Sequence, residues 1–170
     1  MKTNPLALVR HALVAVCLTS VLVASAVPAS HKLSLHGTVE TYENHVVTFP
    51  TILIDLSGTG HASHLGNFTL SMDAVLNIPT RSAVGTAEFT AANGNRIFTD
   101  VAGQATPTAD PEFITIVETH TITGGTGRFT GATGTITLKR TNNTVTLVGS
   151  ASLCGTVVLS AKGRCAPSHR

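Results

Sequence analysis

From about residue 30 onward, polar and apolar side chains alternate along the sequence, and turn residues interrupt the alternation roughly every eight to fourteen positions. Thr, Val, Ile and Gly dominate these stretches. Leu and Ala do not recur for long at the three- to four-residue spacing that an amphipathic helix requires. This combination is typical of an all-β domain built from short, consecutive strands.

The pattern predicts eight or nine antiparallel strands. They are expected at residues 33–42, 45–56, 66–77, 83–91, 96–105, 113–123, 134–141 and 144–153, with a further short strand at 155–161. Asn93-Gly94 and Asn142-Asn143 are predicted hairpin turns, because both residue types tolerate positive φ. Residues 106–111 contain two prolines and are predicted to form a loop. Closure into a barrel would remove the exposed edges of such a sheet, although a sandwich fits the alternation as well.

The first 29 residues have the features of a secretory signal peptide. Lys2, Arg10 and His11 precede an apolar run over residues 12–26, and small residues follow it. We expect cleavage between residues 26 and 30 and no membrane span afterwards, because the run is shorter than the roughly 20 apolar residues that cross a bilayer. The predicted location is therefore secreted or periplasmic.

The remaining 141 residues, about one domain in length, are formally neutral, because removal of Lys2 and Arg10 leaves nine basic and nine acidic residues. Lys and Arg are scattered, and the chain has no Trp. A nucleic-acid-binding protein would normally cluster its basic residues beside aromatic side chains. The composition therefore excludes nucleic acid as an expected partner.

Two cysteines remain after the signal peptide, Cys154 and Cys165. An even pair in an exported protein favours a disulfide. We predict this bond and expect it to tie down the tail at residues 162–170, leaving residues 30–161 as the barrel domain. A redox role is disfavoured because neither cysteine belongs to a Cys-x-x-Cys motif.

Residues 124–134 read Gly-Gly-Thr-Gly-Arg-Phe-Thr-Gly-Ala-Thr-Gly and lie between two Thr-rich strand patterns. Their glycines would permit a left-handed turn, a bulge or a sharp bend, while Phe129 would fill apolar space. A phosphate-binding loop is disfavoured, because no helical pattern follows and no Gly-Lys-Ser/Thr ending is present. We therefore predict a structural hairpin connection.

This segment resembles the GGTGxFxGAxG signature of the dirigent and allene oxide cyclase barrels. The chain is also similar to a group of secreted bacterial proteins of unassigned function, through Gly60-His61-Ala62-Ser63-His64-Leu65-Gly66, Thr90-Ala91-Ala92-Asn93-Gly94 and Ile116-Val117-Glu118-Thr119. The resemblance implies a single antiparallel, calycin-like β-barrel. It also implies, as one alternative, an activity that constrains the cyclisation or coupling of an apolar intermediate. Only the glycine signature carries over residue by residue.

The predicted strand at residues 113–123 carries two ionisable groups on an apolar face. Glu118 and His120 share that face with three isoleucines, because residues two apart point the same way. If the face lines the barrel, both are buried and could act as acid and base or orient a polar ligand group. If it faces outward, they form a solvated pair. Arg128 is a further ligand-binding candidate and a possible partner for Asp73, whose side chain is predicted to face solvent.

His61 and His64 are the candidates for a metal site, with His36 and His45 on strands that could approach them. Zinc would require three or four converging ligands, and no cysteine or carboxylate lies near the pair in sequence. We therefore expect neither a metal nor a cofactor. No Gly-x-Ser-x-Gly elbow or local pair of carboxylates is present, which disfavours hydrolase chemistry.

The function favoured by the sequence is that of a secreted, non-catalytic β-barrel whose interior is either packed or holds one small apolar ligand. Two alternatives remain. One is an allene oxide cyclase- or dirigent-like enzyme or guide, with cyclase or isomerase-like chemistry. The other is a structural surface module. Six Phe and one Tyr are few for so many strands, so the interior is either partly open or narrow and packed with small residues. The sequence specifies no oligomeric state.

Overall fold

The computed structural model describes residues 30–160. The predicted signal peptide, the tail at residues 162–170 and Cys165 lie outside the described residues. Within the described residues no helix has the length and apolarity to cross a membrane.

Eight strands and one short 3-10 helix make up the described chain. The strands are β1 (His31–Thr48), β2 (Thr51–Ala62), β3 (Gly66–Asn77), β4 (Ser82–Ala91), β5 (Arg96–Pro107), β6 (Phe113–Gly125), β7 (Thr133–Asn143) and β8 (Val148–Leu159), and the 3-10 helix is Gly127–Phe129. Each strand pairs antiparallel with the next, and β1 also pairs with β8, so the sheet closes into a barrel. Closure leaves no strand edge unpaired, which selects the barrel over the sandwich.

The interior is built from alternate residues of every strand. On β3, for example, Phe68, Leu70, Met72 and Ala74 are buried, while the residues between them are exposed. Asp73 lies on the exposed face, as predicted. One half of the barrel holds an apolar core that includes Phe68, Phe89 and Phe129, whereas the other half holds buried polar side chains.

The first predicted strand boundary was wrong. The sequence pattern placed a turn between residues 42 and 45, but β1 continues without a break to Thr48, and the turn lies at Phe49-Pro50. Proline has no backbone N–H to donate to a ladder, so Pro50 is a natural end for the pairing. The correction moves Glu43 from a predicted turn into a strand, where its side chain is buried.

The predicted ninth strand was also wrong. Residues 144–153 and 155–161 were predicted as separate strands, whereas Val148–Leu159 forms one strand that runs through Gly155. A Cβ at Gly155 would meet the backbone carbonyl of Thr135, so this glycine allows close approach inside a strand and does not end it. Asn142-Asn143 ends β7, and the turn follows at residues 144–147, where the Asn143 side chain accepts hydrogen bonds from the amides of Val145 (2.9 Å) and Thr146 (2.8 Å).

The glycine-rich segment closes one end of the barrel, as predicted for a structural connection. Gly127 and Gly131 have φ values of 58° and 68°, a left-handed conformation that favours glycine. Between them the chain turns through Gly127–Phe129, and the Phe129 side chain is fully buried in the core. At the other hairpin predicted from an Asn-Gly pair, Gly94 has φ 79° between β4 and β5.

Candidate functional site: a polar cluster inside the barrel

Three strands, β6, β7 and β1, place polar side chains in the barrel interior. Glu118 and His120 come from β6, Arg140 and Asn142 from β7, and Glu43 from β1, and all five are buried. Each belongs to the inward-facing set of its strand, and closure of the barrel brings β1 near β7 through β8. The outcome left open by the sequence is thus decided: the face that carries Glu118 and His120 lines the barrel.

Arg140 joins the two buried carboxylates. Its Nη2 donates to Glu118 Oε1 at 2.7 Å, and its Nη1 donates to Glu43 Oε1. Two carboxylates therefore face one guanidinium, and the cluster carries one unit of negative charge whenever the neighbouring imidazoles are neutral. Because burial of unbalanced charge is costly, these contacts hold the three side chains in one arrangement.

Glu43 also connects the cluster to a partly exposed histidine on β1. Its Oε2 accepts a hydrogen bond from Asn142 Nδ2 at 3.1 Å and lies 2.7 Å from Nε2 of His45. His45 is partly exposed, whereas Glu43 is not. The contact with His45 is therefore a point at which the hydrogen-bonded cluster reaches solvent.

His120 lies between the apolar core and the polar cluster. Its ring packs edge-on against Phe89, with 5.4 Å between the centroids, and its Nδ1 is 3.1 Å from Thr99 Oγ1. The Thr99 hydroxyl also lies 3.3 Å from the Ala87 carbonyl oxygen, so it links the ring to the backbone of β4. The other ring nitrogen, Nε2, lies 3.8 Å from Glu118 Oε2.

The environment shifts the ionisation of Glu118 and Arg140 in opposite directions. Burial alone would raise the pKa of Glu118, but the adjacent His120 and the charge of Arg140 outweigh it, and the pKa lies below its ordinary value. Burial alone would lower the pKa of Arg140, but Glu118 and Glu43 outweigh it and raise it. Both groups are therefore held in their charged forms.

A small enclosed cavity of about 20 Å³ lies beside the cluster. Glu118 and Arg140 form its polar side, and its other lining residues are apolar or glycine: Ile54, Met72, Ala74, Leu76, Ala83, Val101, Gly103 and Ile116. A volume of this size holds about one water molecule. The composition allowed either a partly open interior or one packed with small residues, and the described barrel is packed.

Four buried polar atoms have no protein hydrogen-bond partner among residues 30–160. They are Thr41 Oγ1, His120 Nε2, Arg140 Nε and Asn142 Oδ1. All four belong to the polar half of the interior, and one of them, Arg140 Nε, belongs to a residue that lines the cavity. Buried polar groups normally have hydrogen-bond partners. This half of the interior therefore has donors and acceptors that a bound polar group could use.

The structure does not bring the other candidates to this cluster. Arg128 is exposed beside the plugged end, with its guanidinium 4.6 Å from the centre of the Phe129 ring, and in the described chain it forms no ion pair with Asp73. His61 lies on the exposed face of β2 and His64 in the turn that follows, where its φ is 62°. Among residues 30–160, no group of three potential metal ligands forms around them.

Sequence reasoning missed Glu43, Arg140 and Asn142. A signal was present for β7, because Arg140 and Asn142 share a face with Ile136 and Leu138, as Glu118 and His120 do with their isoleucines. Glu43 was hidden by the misplaced turn. To predict that Glu43 lies near Arg140, one would also need to know that β1 pairs with β8. This pairing joins residues more than 100 positions apart.

Comparison with protein-family models found no match, and comparison with curated proteins found none. Among solved structures, the fold is similar to that of the pterocarpan synthase dirigent protein GePTS1, with a TM-score of 0.54 and 13% sequence identity over 77% of this chain and 89% of that chain. At this identity the similarity concerns the fold. The described chain is a closed, eight-stranded, dirigent-like β-barrel, as the glycine-rich segment predicted.

Proposed function

We propose that this protein is a secreted or periplasmic, non-catalytic barrel that binds one small, largely apolar ligand in the polar half of its interior. Its export is inferred from the signal-peptide pattern of residues 1–29. The observation that carries the binding proposal is the asymmetry of the interior. Phe129 plugs one end, whereas the half next to the other end has a cavity with an apolar wall and one polar side.

The chemistry of the cavity suggests the kind of ligand. Its apolar wall would exclude water from a hydrocarbon group, and Arg140 Nε is a donor without a protein partner in the described chain. An apolar molecule with one accepting oxygen would satisfy both features. Because the cavity holds about one water, a larger ligand enters only if the partly exposed side chains of Ile54 and Leu76 change rotamer.

The first test is titration of residues 30–170 with the neutral apolar dye N-phenyl-1-naphthylamine, which fluoresces in apolar surroundings. We expect saturable binding that Ala83→Leu weakens about tenfold, a loss of about 1.4 kcal/mol, because the larger side chain fills the cavity. Ala102→Leu is the matched control, since Ala102 is exposed on the neighbouring strand and faces outward. Its affinity should equal that of the wild type.

Native mass spectrometry of the exported protein, before and after denaturation, would detect a ligand retained from the cell. Absence of dye binding together with a bare native mass would contradict the proposal and leave the structural surface module. Equal effects of Ala83→Leu and Ala102→Leu would place the dye outside the barrel and also contradict it.

A second candidate is a guide that constrains the cyclisation or coupling of an apolar intermediate. It is favoured by the fold shared with a dirigent protein and by His120 Nε2, a buried ring nitrogen without a protein hydrogen-bond partner among residues 30–160. Such a protein acts mainly by holding its substrate in one conformation. A change in product stereochemistry when the barrel is added to a reactive intermediate, abolished by Ala83→Leu, would favour this candidate over simple binding.

A further inference from the structure

The outer surface near the β1–β2 turn carries a continuous apolar row that crosses the four strands β1 to β4. Successive cross-strand pairs join Val46 to Leu53, Leu53 to Val75, and Val75 to Val84. Their exposed fractions are 60% for Val46, 48% for Leu53, 41% for Val75 and 63% for Val84. Phe49, in the adjoining turn, is 78% exposed. Single exposed apolar residues are normal, but a contiguous set indicates a contact surface.

An acidic row runs beside the apolar row, about 7 Å away, on β2, β3 and β5. Asp55 pairs directly with Asp73, Asp73 with Thr86, and Thr86 with Asp100. The three aspartates are exposed, and within residues 30–160 none forms an ion pair. Like charges directly opposite each other on a sheet are destabilising, so the isolated barrel accommodates an unfavourable arrangement here.

The charge on this side of the barrel is one-sided. The outward faces of β2 to β5 carry four carboxylates, the three aspartates and Glu88. The one Lys or Arg on those faces is Arg96, whose Nε lies 3.4 Å from Glu88. The three aspartates are thus left without an ion-pair partner in the described chain, and a cationic group from elsewhere would relieve their repulsion.

The two rows border one groove of about 440 Å³. Val46, Leu53, Val75 and Val84 line it together with Asp55 and Asp73. We propose that this groove is the docking surface for a protein segment that presents apolar side chains beside Lys or Arg. Charge complementarity selects this chemistry, because an acidic or purely apolar segment would leave Asp55 and Asp73 unpaired on a partly desolvated surface. The groove lies on the outside of the barrel and is independent of the interior cavity.

The test uses a synthetic amphipathic helical peptide of about five turns with Leu on one face and Lys on the other. Isothermal titration with residues 30–170 measures its affinity, and amide chemical shifts locate it. We expect saturable binding that weakens as salt rises, with the largest shifts at the outward positions of β2 to β4. A peptide of the same composition, scrambled so that Leu no longer forms one face, should bind at least tenfold more weakly.

Two double variants separate the contributions of the rows. Asp55→Asn with Asp73→Asn removes the acidic pair, and Leu53→Thr with Val75→Thr makes the apolar row polar with residues that suit an exposed strand. Each should weaken binding at least tenfold. The matched control, Asp110→Asn with Glu112→Gln, removes the same charge from the exposed β5–β6 loop and should change affinity less than twofold.

Other outcomes would overturn the proposal. Equal binding of the scrambled peptide, or equal losses in the acidic and control variants, would indicate attraction to net charge alone. Self-association of the barrel that Leu53→Thr with Val75→Thr abolishes would make a second copy the occupant. Tighter peptide binding after Lys162→Gln with Arg164→Gln would make the chain's own tail the occupant. Absence of binding would reject the surface.

Discussion

Arg140 is the residue that holds the interior cluster together, because it is the one Lys or Arg among the buried residues of the described chain. It contacts carboxylates from two different strands, Glu43 and Glu118. A buried ion pair is weak support for stability when compared with apolar residues of similar volume. Removing one partner is different, since it leaves the other charge buried and uncompensated.

We expect Arg140→Met to lower the free energy of unfolding by about 3–5 kcal/mol, because two carboxylates would then share the interior without a cation. Urea unfolding at neutral pH measures the change. Lys139→Met is the control, since Lys139 is the adjacent residue on the exposed face of β7, and it should change stability by no more than about 0.5 kcal/mol. Similar losses in both variants would contradict the role assigned to Arg140.

Glu118 gives the cluster a predictable pH dependence. Its pKa in the folded protein lies below the ordinary value of 4.5, because the contributions of His120 and Arg140 outweigh the opposing effect of burial. A carboxyl with a lowered pKa stabilises the fold above its unfolded value and loses that contribution as pH falls through the folded value. Glu118→Gln should therefore lose less stability than the wild type between about pH 5 and pH 3.

Urea midpoints at neutral pH, at pH 4.5 and at pH 3 would measure the difference. Glu112→Gln serves as the control, because Glu112 is exposed in the β5–β6 loop. It should keep the wild-type pH dependence. A Glu118→Gln protein with the wild-type slope would show that another group carries the acid sensitivity.

At the scale of strands, the alternation of polar and apolar residues predicted most elements. It failed where a polar residue or a glycine was compatible with either a turn or a continuing strand. The predicted strand at residues 66–77 has the bounds of β3, and the predicted strand at 113–123 lies within β6. The turn was predicted at residues 43 and 44, which are both polar. A barrel strand can nevertheless bury a glutamate such as Glu43 when a cation inside the barrel pairs with it. The sequence pattern cannot indicate that cation, because Arg140 comes from a distant strand.

Gly155 is a second such case, because a glycine within a strand pattern is compatible with a turn and also with close approach of two strands. We expect Gly155→Ala to destabilise the barrel by about 2–3 kcal/mol, because the added Cβ would overlap the backbone of Thr135 on β7. Thermal and urea unfolding would measure the loss. Ser152→Ala, on the exposed face of the same strand, should be nearly neutral. An equally mild effect of Gly155→Ala would mean that β7 and β8 separate easily.

For the whole molecule, the closure of the sheet into a barrel could not be predicted from any local sequence pattern. The fold class, the consecutive hairpins and the plug at Phe129 follow from alternation and turn chemistry, and the resemblance favoured a barrel. The candidate site depends on contacts such as that between Glu43 and Arg140, 97 positions apart. Long-range pairing of this kind is set by the register of all eight strands together, so one misplaced turn was enough to hide it.

The predicted disulfide between Cys154 and Cys165 concerns the whole chain, because it would join β8 to the tail. Cys154 lies exposed on β8, five residues before the strand ends at Leu159, and Cys165 lies outside the described residues. Oxidised protein should have a mass two hydrogens below that of the reduced chain. Closing so short a loop contributes about 3 kcal/mol in the chain-entropy model, so Cys154→Ser and Cys165→Ser should lower the unfolding temperature equally, and the double variant no further. Ser152→Ala is the surface control. Two titratable thiols in native residues 30–170, purified under oxidising conditions, would contradict the bond.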